Sequence, residues 1–210
     1  KNLIGVNMVP DISISNDYIL ELDNFEDKFD ADELVAACKS NKTFDQWKAG
    51  YEPERDVDYA PEFDPFASDY SENETYGVVS YNVPEDQPQV KHIFEAINQD
   101  LLSERPIGWL CIMDGTKWTQ PHIDGDRNTV LQFPISPKPY TLAFLEDDLS
   151  TDKWKHDTSR PLFENCQLPH CVYDEGIERI YFQISLFFKD NTWSKIKANV
   201  ENGNFFTKEI

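Results

Sequence analysis

Residues 107–135 read IGWLCIMDGTKWTQPHIDGDRNTVLQFPI, and this stretch decides the fold class. Two short apolar, β-branched and aromatic runs, IGWLCIM and TVLQFPI, flank turn-rich segments carrying DGT and DGD. Runs of that length bounded by Gly and Asp are strands rather than helices. The same texture continues downstream in YTLAFLE, PLFENCQL, HCVY and RIYFQISLFF, with SPKP and DEG as turns. Regularly spaced short strands of this kind imply an antiparallel sandwich or barrel over roughly residues 107–188. The fold class expected is mainly β with supporting helices.

Working outward, the tail NTWSKIKANVENG places Trp193, Ile196 and Val200 on one side of a final helix, with Gly203 past its end. Upstream, Val90, Ile93, Phe94, Ile97 and Leu101 follow one buried helical stripe, predicting a helix from Pro88 to Leu102 that ends before Arg105-Pro106. A shorter helix is expected in DADELVAACKS, capped by Asp30 or Asp32. From Tyr51 to Tyr76 the chain is rich in Pro, acids and aromatics and reads as long loops. With no linker or repeat, the 210 residues are expected to form one domain. Residues 1–105 would be a helical, loop-rich support and lid, 106–190 the β core, and 191–210 a helix and tail.

The formal charge of −20 argues against a phosphate backbone as partner, so nucleic acid is not expected. It suits either a solvated acidic face or attraction of a cationic substrate. No run approaches the length of a membrane helix, and the first residues lack the zones of a secretory signal. The chain begins at Lys1 rather than Met, so something is expected to have been removed before it. Cys38, Cys111, Cys166 and Cys171 match no zinc or redox spacing; reduced thiols and a cytoplasmic location are the expectation.

His122 and Asp124 stand two apart in the opening stretch. In an extended segment such residues point to the same side, so imidazole and carboxylate can converge on one ion. Alone the pair is weak: with 39 acids in 210 residues, four histidines give about one chance match. A third ligand must come from His92, His156 or His170. His92 falls on the expected helix and His156 in a polar connection, where a surface position is expected. His170, in NCQLPHCVYDEG, leads into a strand and is the best candidate. Nine positions later Arg179 opens RIYFQISLFF. Alternation puts Arg179, Tyr181, Gln183 and Ser185 on one face, and Ile180, Phe182, Ile184 and Leu186 on the other.

The ordered set PHIDGDR, then LPHCVYDEGIERIYFQISL, resembles the 2-oxoglutarate- and Fe(II)-dependent dioxygenases, and more closely small oxygenases of that superfamily from marine microbes and phages. The resemblance covers Gly108 to Phe188 and implies a double-stranded β-helix (jelly-roll) core. It implies His122, Asp124 and His170 as the Fe(II) ligands and 2-oxoglutarate and O2 as cosubstrates. A small molecule or peptide side chain would be hydroxylated, with release of succinate and CO2. Two imidazoles and one carboxylate on one face suit Fe(II) and leave positions free. Arg179 would clamp the far carboxylate of the cosubstrate through a bidentate fork. Many family members carry Ser or Thr two residues after this Arg; Tyr181 stands here, and its phenol could reach the same carboxylate. Arg127 is either a second clamp, for a carboxylate or for substrate, or an exposed loop residue bridging Asp124 or Asp126. A solvent-facing Arg179 paired to Glu178 or Asp174 is the plainer alternative for that residue.

Two other readings compete. One is a non-catalytic β-sandwich binding module using the aromatics of residues 51–70. The other is a cupin, which would need an H-x-H that this chain lacks. Neither oligomeric state nor substrate is legible.

Overall fold

The computed structural model describes residues 9–23, 28–40, 46–49, 78–113, 119–125, 127–136, 140–147, 149, 151–172 and 178–210, and among these described residues there are twelve strands and three α-helices. In chain order these are β1 (Asp11–Ser15), β2 (Ile19–Asp23), α1 (Ala31–Ser40), β3 (Gln46–Ala49), β4 (Val78–Val83), α2 (Lys91–Ala96), β5 (Ile107–Met113), β6 (Thr119–His122), β7 (Thr129–Ser136), β8 (Tyr140–Leu145), β9 (Asp152–Thr158), β10 (Leu162–Asn165), β11 (His170–Val172), β12 (Arg179–Leu186) and α3 (Trp193–Glu201).

The strands form two sheets, one ordered β1-β2-β10-β7-β12-β5-β4-β3 and the other β6-β11-β8-β9. Every pairing is antiparallel. From β5 to β12 the chain crosses between the sheets, placing β5, β7, β10 and β12 side by side in one, and β6, β8, β9 and β11 in the other. That alternation of eight strands is a jelly roll. The mainly β fold expected from residues 107–188 is therefore the fold observed.

The N-terminal half departs from expectation. It was read as helices and loops, yet β1 and β2 extend one edge of the large sheet and β3 and β4 the other. DISIS and ILELD are short runs that pair with each other, and only β2 is tied far along the chain, to β10. The expected helix over residues 88–102 is also cut short. Ile97 takes an extended conformation (φ −66°, ψ 130°) that ends α2, and a 3-10 turn at Gln99–Leu101 follows. Ile97 bridges to Phe206 and Leu102 to Phe188, so tertiary pairing overrides the helical stripe. In α1 the Asp30 carboxylate accepts from the Glu33 amide at 2.9 Å, as the capping reading required. Gly203, past the end of α3, adopts φ 70°, the left-handed position that favours glycine. Residues 51–76, expected as loops and lid, lie outside the described residues.

The position of the core explains the position of the site. The largest apolar cluster joins Phe182, Ile184 and Leu186 of β12, Leu131 and Phe133 of β7, Leu110 of β5 and Phe163 of β10 to buried residues of the three helices and to Phe205 and Phe206. The helices thus cover one face of the large sheet. Strand alternation then turns Arg179, Tyr181, Gln183 and Ser185 toward the opposite face, between the sheets. Smaller apolar groups line that space, among them Ile19, Leu142, Phe144 and Leu162. Most of the dry packing is outside the jelly roll, and its interior is left for polar chemistry.

Candidate metal centre

β6 and β11 are neighbours, and their register sets His122 directly opposite His170. Facing residues of an antiparallel pair bring their side chains together, and the two imidazole centroids lie 4.3 Å apart. A register irregularity follows immediately between His170 and Val172; such bulges re-aim side chains beside sites. Asp124 sits just past β6, where its amide donates to the Cys166 carbonyl at 3.1 Å. This bond ties the turn after β6 to the end of β10, in the other sheet.

The three side chains converge. His122 Nε2 is 3.6 Å from Asp124 Oδ1, and His170 Nε2 is 4.0 Å from Asp124 Oδ2. One donor atom from each lies within 4.8 Å of the others, close enough to share an ion. His170 is buried, and its Nδ1 lies 2.9 Å from the Leu168 carbonyl. An Nδ1–H donated there fixes the tautomer and leaves the Nε2 lone pair for a metal. Burial lowers the basicity of His170, favouring the neutral ring a metal needs. Burial pushes Asp124 up, but the Arg127 guanidinium, helped by His170 and His122, more than offsets this and holds its carboxyl well below the usual range. The donor set, two imidazoles and an ionised carboxylate with mostly buried side chains, fits a divalent first-row cation such as Fe(II).

Arg127 binds the metal-ligand candidate itself. Its Nε donates to Asp124 Oδ2 at 2.6 Å and its Nη1 to Ser185 Oγ at 3.1 Å. Of the alternatives open in the sequence, the bridge to Asp124 is the arrangement found. Because Ser185 belongs to the polar face of β12, this bridge also locates that face: Arg179, Tyr181, Gln183 and Ser185 line the side of β12 turned toward the triad. Arg179 is 1% exposed, so it is not the solvent-facing residue of the plainer reading. Asp174, one partner considered for it, lies outside the described residues. Tyr181 packs with Trp109, Cys111 and Met113.

The other two histidines serve the scaffold. His92 Nε2 is 2.6 Å from the Lys28 carbonyl. His156 is not a surface residue in a connection: it lies on β9, stacks on Trp154 with centroids 5.5 Å apart, and meets Glu21 Oε2 at 2.6 Å. The polar sequence DKWKHDT hid that strand, because its inward face carries a single apolar residue, Trp154, beside His156.

Two residues that sequence reading passed over also adjoin the triad. Glu164 Oε1 lies 3.7 Å from His170 Nε2, and Cys166 has a donor atom within 4.8 Å of both. Burial, with Asp124 nearby, pushes the Glu164 carboxyl up to about 7. Burial likewise keeps Cys166 a thiol well above its ordinary range. No spacing rule announces FENC as part of a site, since its relation to His170 depends on a cross-sheet turn.

No family model matches the chain, and no curated protein matches it. Among solved structures, a Pseudomonas putida prolyl-4-hydroxylase is similar at 12% identity and a TM-score of 0.44, over 75% of this chain and 98% of that one. The vicilin of Corylus avellana (hazelnut) is similar at 12% identity and a TM-score of 0.35, over 56% of this chain. The match spans only 31% of the vicilin. Among the described residues, no helix is long and apolar enough to cross a membrane.

Proposed function

We propose that the chain is a non-haem iron oxygenase that uses 2-oxoglutarate as cosubstrate and hydroxylates a small molecule or a peptide side chain. The observation that carries this reading is the convergence of His122, Asp124 and His170 around one point from two separate chain segments. Three protein ligands on one side leave room for a chelating 2-oxo acid and O2 on the other. Fe(II), once bound with that acid, supplies the oxidising chemistry. The chain's own groups position and protect. His122 and His170 offer imidazole nitrogens, the latter oriented by the Leu168 carbonyl. Asp124 is kept ionised and pinned by Arg127, which in turn is anchored on Ser185. Arg179, on the face shared with Ser185, is the guanidinium assigned to the distal carboxylate of 2-oxoglutarate; Tyr181, two residues along, is its neighbour on that face. Phe144, with its ring centroid 6.2 Å from that of His170, helps exclude water from the centre.

Anaerobic mixing of the full chain with Fe(II) and 2-oxoglutarate tests the reading. A visible charge-transfer band is expected, together with succinate formation when air and a substrate pool are admitted. His170→Ala is expected to abolish the band. A folded wild-type chain that develops no band refutes the assignment, and a band retained in His170→Ala removes that residue from the ligand set.

A further inference from the structure

Residues 164–170 read ENCQLPH, and the oxygenase reading takes only His170 from them as a ligand. Glu164 lies on β10 and His170 opens β11, so the segment passes from the large sheet to the small one. Hydrogen bonds fix its course. The Cys166 amide donates to the Glu164 carbonyl at 3.1 Å, and the Leu168 amide to the Asn165 carbonyl at 3.3 Å. Asn165 is pinned in turn: its side-chain amide donates to the Asp17 carbonyl at 3.0 Å and its backbone amide to the Tyr18 carbonyl at 2.9 Å. Alternation puts Glu164 on the face of Leu162, which packs with Phe144 and Leu142 inside the jelly roll. The tight turn folds Cys166 back beside it, with Sγ 3.7 Å from the Glu164 carbonyl oxygen.

Three side chains of this segment meet out of solvent. The Glu164 side chain is 6% exposed, and Cys166 and His170 are buried. One donor atom from each lies within 4.8 Å of the others. Glu164 Oε1 has no hydrogen-bond partner among the described residues, and a carboxylate ionised in such a place is costly unless a cation stands beside it. This group and the triad have His170 alone in common. With Nδ1 held by the Leu168 carbonyl, the one remaining ring nitrogen serves one ion at a time. We infer that Glu164, Cys166 and His170 form an alternative metal pocket for a borderline-soft cation of the Zn(II) class, filled in competition with the triad. The competition rests on the reading of the triad as a metal centre; the pocket itself does not. Thiolate selects zinc-class ions, whereas a set without sulfur suits Mn(II) and Fe(II). Tetrahedral Zn(II), with bonds of about 2.0–2.3 Å, spaces its ligand atoms about 3.3–3.6 Å apart. The 3.7 Å from Glu164 Oε1 to His170 Nε2 needs little contraction to meet that. On binding, the Cys166 S–H bond breaks, its proton passes to water, and an S–metal bond forms. Carboxylate and thiolate then balance the charge of a divalent ion, and the fourth tetrahedral place is left for water.

Co(II), whose bonds to thiolate give a near-ultraviolet sulfur-to-metal charge-transfer band, tests the pocket without catalysis. Metal-free, full-length His122→Ala lacks the triad but keeps the three ligands, and is expected to take up one Co(II) with that band. Adding Cys166→Ser is expected to remove the band, and Cys166→Ala makes the same comparison should serine disturb the buried turn. In the otherwise unaltered chain, Cys166→Ser is expected to weaken Zn(II) by about tenfold or more, the loss that even a supporting residue can cause. Mn(II) affinity should stay as in the wild type. A folded His122→Ala without the band, or equal Zn(II) affinity in wild type and Cys166→Ser, overturns the pocket and leaves the triad intact. A folded wild type that binds no Mn(II) overturns the triad and the competition with it, while the band in His122→Ala upholds the pocket.

Discussion

Replacing Glu164 by Gln in the metal-free protein should make stability less dependent on pH, in a direction fixed by linkage. In the folded chain the carboxyl is pushed up to about 7 by burial, from an ordinary value of 4.5. Below about pH 4.5 both folded and unfolded chains hold the proton, and the group contributes nothing to the pH dependence. Between that point and about pH 7 the folded state keeps a proton the unfolded state has lost, so stability falls as pH rises. Above pH 7 both are ionised and the full penalty persists. A difference of about 2.5 pH units at 1.36 kcal/mol each is about 3 kcal/mol. Glutamine cannot ionise, so it escapes the penalty. Urea denaturation of the chelator-treated wild type and Glu164→Gln is expected to show nearly equal stabilities at pH 5. At pH 8 the variant should be more stable by about 3 kcal/mol. Asp124 and His170 titrate in both proteins, so the comparison isolates position 164. A gap that is the same at both pH values, or a wild type more stable at pH 8, would refute the claim that the carboxylate is buried without compensation.

Arg127→Ala removes a charge-assisted hydrogen bond to Asp124 and is expected to cost about 2 kcal/mol near neutral pH. Because Arg127 lowers the Asp124 pKa, that cost is present above about pH 4 and shrinks as pH falls further, which denaturation at pH 7 and pH 3 would reveal. Gly108→Ala would place a Cβ 2.8 Å from Phe94 Cζ and 2.8 Å from the Val83 carbonyl oxygen. Overpacking of that kind is expected to cost about 1–3 kcal/mol, measured by thermal or urea unfolding. Arg179→Leu is expected to weaken 2-oxoglutarate binding by about 10- to 100-fold with Mn(II) affinity unchanged, as one bidentate charge-assisted pair is lost; calorimetric titration separates the two.

The strands from β5 to β12 were legible wherever a run carried apolar residues, as in IGWLCIM, TVLQFPI and RIYFQISLFF. β9 was not, because the inward face of DKWKHDT offers only Trp154 and His156 among polar neighbours, too little apolar alternation to announce a strand before its pairing to β8 is known. β1 and β2 escaped for a similar reason: ILELD is too short to signal itself, and its partner β10 is more than 130 residues away. The stripe over residues 88–102 was read correctly as buried at Val90, Ile93, Phe94 and Ile97. Its helical periodicity was incidental beyond Ala96, where bridges to Phe206 and Phe188 took over the backbone. At the site, the H-x-D spacing and the choice of His170 could be made because strand alternation and sequence order constrain them. The bridge from Arg127 to Asp124 was one of the alternatives the sequence offered; Glu164 and the anchoring of Arg127 on Ser185 could not be read, since they arise from contacts across turns that no local pattern encodes.

Equilibrium dialysis of the metal-free full chain against Fe(II) without oxygen, followed by metal analysis, tests the central claim most directly. One iron per chain is expected in the wild type, and none in folded His122→Ala, Asp124→Ala or His170→Ala. Retention of a full equivalent by any of these variants, or its absence from the folded wild type, would contradict a centre built from those three side chains.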